Sequence, residues 1–90
     1  MEIEGLFWSY EKDGNFNYWR IGRKDNKDCV FPTEKRAMEL GQSILGNKED
    51  GSPRLLAAHC DPNYIIIHVV PKTDPKRMKA LFTAIGQETH

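Results

Sequence analysis

Cysteine and net charge are both scarce in this chain. Cys29 and Cys60 are the only two cysteines in 90 residues, too few for the disulfide framework of a small secreted domain. Thirteen Lys and Arg are matched by thirteen Asp and Glu, so the formal net charge at pH 7 is zero. That balance excludes a polyanion binder driven by bulk charge, and equally an acidic mimic of nucleic acid. Long hydrophobic runs are missing too. The most extended, Tyr64 to Val70, is interrupted by His68 and falls far short of the roughly 20 residues a membrane-spanning helix needs. Met1-Glu2-Ile3-Glu4 is acidic, without the basic start and apolar stretch of a secretory leader. Gly5, Gly14 and Gly22 are scattered and make no phosphate-binding loop. These absences lead us to expect a reduced cytoplasmic protein with no membrane contact.

What is present describes a folded chain. Hydrophobic residues at 39% beside charged residues at 29% have the balance of a globular domain, not a disordered one. Residues 1–90 are read as a single domain. A chain this short buries only about 60–65% of its unfolded surface. Little is left to wall a deep pocket of the roughly 300–1,000 Å³ typical of small-molecule sites.

Turn residues divide the chain. Leu6 to Glu11 and Phe16 to Arg23 are rich in aromatic and β-prone residues, with Asp13-Gly14 between them as a two-residue hairpin turn. Lys24 to Lys27 marks a second turn, and a short third strand is expected at 28–31. Pro32-Thr33-Glu34 opens a helix, since Thr33 can cap free N–H groups and Glu34 favours the positive end of the helix dipole. Its apolar stripe runs from Ala37 to Leu45 and stops at Gly46, a residue suited to a helix C-terminus. Strands are expected at 54–59 and 64–70. The second is apolar on both faces, as a central strand would be. Thr73-Asp74-Pro75 starts a second helix, whose stripe is Met78, Leu81, Phe82 and Ile85. The fold class is therefore α+β: an antiparallel sheet of four to five strands with two helices, in the order β-β-β-α-β-β-α.

An Asp13-Gly14 turn sets a register in which paired residue numbers sum to about 27, as two-residue loops dictate. Trp8 then faces Trp19 and Leu6 faces Ile21, while Phe7 faces Arg20 and Ser9 faces Tyr18. Side chains alternate, so the ribbon has two faces. Leu6, Trp8, Trp19, Ile21 and Val30 make one, a natural floor for a helix. Phe7, Phe16, Tyr18 and Phe31 surround Arg20 on the other.

Three uses compete for that second face. It is core if a helix packs on each side of the sheet. It is a protein-binding patch if left open, because Tyr, Phe and Arg are the residue types that anchor interfaces. It is a nucleic-acid platform if the rings stack bases while Arg20, Arg23, Lys24 and Lys27 touch phosphates. Charge weighs against the last. From Glu11 to Asp28 five basic residues meet four acidic ones, a faint electrostatic footprint.

The stretch Tyr18-Trp19-Arg20-Ile21 followed by Val30-Phe31-Pro32-Thr33-Glu34-Lys35-Arg36-Ala37 resembles the arm-type DNA-binding domain of phage integrases. In that family an F-x-T-x-x-x-A pattern links strand to helix and a three-stranded sheet enters the DNA major groove. The resemblance implies a sheet-plus-helix architecture and, as an alternative function, DNA binding. This chain lacks the strongly basic strands of that family.

Catalytic patterns are thin. His59-Cys60-Asp61 unites a nucleophile, a base and an orienting carboxylate, but neighbours on an extended chain point to opposite faces, which separates Cys60 from His59. Cys29, His59, Cys60 and His68 offer metal-binding atoms without C-x-x-C or H-x-x-x-H spacing. We expect no enzyme activity, no metal and no cofactor. The reading is a small non-catalytic binding protein, a regulator or phage-type inhibitor by analogy of size. It would engage a larger protein partner through Phe7, Phe16, Tyr18, Arg20 and Arg23, or through an exposed sheet edge. The alternative is a sheet-based DNA- or RNA-binding domain.

Overall fold

A computed structural model describes residues 2–3, 6–13, 16–23, 30–62 and 64–90, with 2, 3, 12, 13, 16, 17 and 23 as backbone only. The chain runs β1 (Glu2–Ile3), β2 (Leu6–Asp13), β3 (Phe16–Arg23), α1 (Glu34–Leu45), β4 (Leu55–Cys60), β5 (Tyr64–Val69) and α2 (Pro75–Gln87). All paired strands are antiparallel, in the spatial order β1-β2-β3-β5-β4. The α+β class, one antiparallel sheet with two helices, is that expected from the sequence. β1 is not among the expected strands, and Val30 and Phe31 are in none. β3 and β4 each run against β5 and hence parallel to one another, so α1 is the crossover that parallel strands require.

Local signals place both helices. Thr33 is extended, and its hydroxyl accepts from the Arg36 N–H at 3.1 Å. Gly46, at φ 66°, closes α1 by returning its N–H to the Gln42 carbonyl. Asp74 caps α2 by accepting from the Lys76 N–H at 2.9 Å, with Pro75 in the first turn. α1 has no basic residue in its own last turn. Instead Arg54 and Arg77 both donate to the Leu45 carbonyl, at 2.6 and 3.0 Å, bringing cations to the negative end of the dipole from elsewhere in the chain.

The hairpin register corrects the expected one. Paired numbers sum to two more than Asp13-Gly14 as the turn would give: Trp8 faces Ile21, Tyr10 faces Trp19, and Asp13 faces Phe16. Positions 14 and 15 lie outside the described residues. A slip of two leaves every residue on its original face. Trp8 and Trp19 become diagonal neighbours with ring centroids 5.3 Å apart.

The third-strand expectation also changes. Positions 28 and 29 lie outside the described residues, and Val30 and Phe31 are not in a strand. β5 takes the place beside β3, pairing Ile65 with Ile21 and Ile67 with Trp19. Both isoleucines are fully buried, a larger apolar gain than Val30 and Phe31 would bring to that edge. Val30, expected in the core, is 66% exposed and exchanges two backbone hydrogen bonds with His90. Phe31, expected on the second face, packs half-buried against the helix-side core.

That core lies on one side of the sheet. Phe82 of α2 stacks on Trp8 and Trp19, with centroids 4.4 and 5.3 Å away. Gly41 of α1 abuts Leu55 of β4. Ala37 and Leu45 of α1 join Met78, Leu81 and Ile85 of α2 in the same buried cluster. A two-bond fork from Arg36 to Glu88, at 2.8 and 3.0 Å, ties the start of α1 to the end of α2. Among the described residues no helix is long and apolar enough to cross a membrane.

Candidate functional site

With both helices on the Trp8 side, alternation places a second set of side chains on the opposite surface. From β2 these are Phe7, Ser9 and Glu11, and from β3 Tyr18, Arg20 and Gly22. β5 adds Tyr64, Ile66 and His68, and β4 adds Ala57 and His59. Phe7 is 50% exposed, Arg20 and His59 are exposed, and Tyr18, Tyr64, Ile66 and His68 are half-buried. No residue of this surface is in the buried core.

The rings form a cross-strand chain. Tyr18 meets His68 at 5.6 Å between centroids, and His68 meets His59 at 5.7 Å, nearly edge to face. Beside it the Arg20 guanidinium carbon sits 4.6 Å above the centre of the Tyr64 ring, a cation–π contact. Gly22 is the partner of Tyr64 across the strands and contributes no side chain beside that ring. Among the described residues Arg20 meets no carboxylate. Glu11 accepts from the Ser9 hydroxyl at 2.8 Å.

The sequence-predicted residues divide. Phe7, Tyr18 and Arg20 share this surface. Phe16 is in register with Asp13, in the same row as Tyr18, and Arg23 is in register with Leu6, in the Trp8 row; their side chains lie outside the described residues. Tyr64, Ile66, His68 and His59 were not anticipated here, because only the β3–β5 pairing brings them beside the hairpin.

His59 and Cys60 point to opposite faces, as expected. The Cys60 thiol donates to the Pro32 carbonyl at 3.3 Å. Burial, then the Glu34 and Asp61 carboxylates, push its pKa up, which keeps it a neutral thiol. Among the described residues no group of three or more His, Cys, Asp or Glu is placed to hold a metal ion. No family model, curated protein or solved structure matches this chain.

Burial, and secondarily His59, hold the His68 pKa below its ordinary 6.5. As pH falls, the unfolded chain takes up this proton before the folded one does. The stability His68 contributes is therefore intact above 6.5 and lost as pH drops through the window beneath it. Urea unfolding should show a lower midpoint at about pH 5.5 than at about pH 7. His68→Phe should shrink that difference, and an unchanged difference would remove His68 as its source.

Proposed function

We propose that the protein is a non-catalytic binding module that engages a larger protein partner through the open sheet face. One observation carries the reading: both helices cover the same side of the sheet, leaving Phe7 half exposed and Arg20 lying on Tyr64 on the other. Aromatic rings and arginine are the groups that act as interface anchors. Among the described side chains the hairpin part of this face carries charges of both signs, Arg20 and Glu11, as suits a protein surface more than a phosphate backbone.

A nucleic-acid reading draws on the Arg20–Tyr64 stack and the Tyr18–His68 pair, since rings and guanidinium groups also hold unpaired bases. The two readings separate by salt. Wild-type protein should retain a specific protein partner as salt rises, and Phe7→Ala or Arg20→Ala should each weaken that complex by about tenfold or more. Binding of a single-stranded oligonucleotide that falls steeply with salt, and is lost in Arg20→Ala, would overturn the proposal in favour of nucleic acid.

A further inference from the structure

A second surface lies away from the open face, along the outer edge of β4. Antiparallel bonding alternates between inward and outward groups. The Asp61 N–H bonds inward to the Tyr64 carbonyl, which turns the N–H groups of Cys60 and Ala58 outward. Glu34 Oε1 accepts from Cys60 N–H at 3.2 Å and closes that end. Among the described residues β4 is the last strand of the sheet, but Ala58 is only 6% exposed and belongs to the buried core, so this edge is closed to a further strand. The register shift between Leu55 and Ala57 blunts the rest of the edge, as bulges do.

Beside this edge runs an open groove of about 830 Å³ between β4 and α1, with Met38, Pro53, Leu55 and Leu56 among its lining. The register shift between Leu55 and Ala57 frees Leu56 from the ladder, and Leu56 stands 57% exposed. An apolar knob and an apolar groove are thus neighbours on one patch. The groove rim adds Lys35 and Glu39, one turn apart on α1. Neither is in a salt bridge among the described residues.

We propose that this patch pairs with a second copy of the chain across a two-fold axis. A two-fold interface requires self-complementarity, and the patch has it twice. Leu56 of each copy can seat in the groove of the other, and the rim presents one cation and one anion to its own rotated image. A uniformly charged partner would leave one of the two unmatched. Both open faces stay free in this arrangement. The pairing does not depend on what the open face binds.

Sedimentation measured over about a hundredfold range of concentration tests this by mass action. The wild-type mass should rise from the 10.4 kDa of one chain toward twice that. Leu56→Lys should stay at one chain throughout, with an unchanged circular dichroism spectrum. Lys35→Glu and Glu39→Lys should each raise the dissociation constant by about tenfold, and the double reversal should restore it. A wild-type mass that never exceeds one chain overturns the proposal. So does a dimer that survives Leu56→Lys, or a double reversal no tighter than the single ones.

Discussion

Phe82→Ala is expected to cost about 3–5 kcal/mol of folding stability. Phe82 is 1% exposed, and its ring contacts both Trp8 and Trp19. It joins α2 to the hairpin, and the indoles around it are too rigid to collapse into the space it would vacate. Domains hold only about 5–15 kcal/mol in total, so the variant should sit close to its unfolding transition at room temperature. Urea denaturation followed by tryptophan fluorescence checks this directly. The midpoint should fall sharply with little change in slope; a loss under about 1 kcal/mol would mean that α2 does not pack here as described.

Gly41→Ala carries the second large effect, and its sign is the informative part. In an exposed helix this change stabilises by roughly 1 kcal/mol. Here a Cβ on Gly41 would overlap Leu55 Cδ2, with Leu55 Cγ at 3.1 Å and Cβ at 3.3 Å also tight. Leu55 is 2% exposed, so its side chain has little room to withdraw. Overpacking of this kind costs about 1–3 kcal/mol, and the net result should be a lower melting temperature. Gly41→Ala combined with Leu55→Val should be more stable than the sum of the two single changes predicts. A melting temperature raised by Gly41→Ala would show that α1 and β4 are further apart.

Features written in neighbouring residues were readable from the sequence. Thr33, Gly46 and the Asp74-Pro75 pair mark helix ends through bonds to residues two to four positions away. The apolar stripes of both helices and the strand at Tyr64–Val69 follow from local pattern as well. Features that depend on distant pairing were not. Asp13-Gly14 suggests one hairpin register, and the observed one rests on how the eight strand pairs match along their length. The place beside β3 goes to β5, more than 40 residues along the chain, because Ile65 and Ile67 bury more than Val30 and Phe31 would. Arg54 and Arg77 reach the Leu45 carbonyl from 9 and 32 residues away, a cap that no helix-end signal announces.

The candidate site shows the same division. Alternation alone groups Phe7, Tyr18 and Arg20 on one side of the hairpin. A helical stripe tells that a helix has an apolar face, but not which side of a sheet receives it. Both stripes meet the Trp8 side, and this leaves the other open. His59, His68, Tyr64 and Ile66 then join the site through the sheet order, which lay beyond the reach of local reading.

One-sided packing also divides the sequence by parity. Along β2, β3 and β5, the buried core residues fall at every second position, and the residues between them are exposed or half-buried on the open face. Phe7, Tyr18, Arg20, Tyr64 and Ile66 can be exchanged over evolutionary time without loosening Trp8, Ile21 or Ile67. A lineage can thus rewrite this surface, one substitution at a time, at a smaller cost in stability than changes on the core face carry. Loss or gain of a single residue within a strand has the opposite effect. It would carry the core residues out to solvent and the surface residues inward in one step, so these strands should tolerate substitution far better than a change in length.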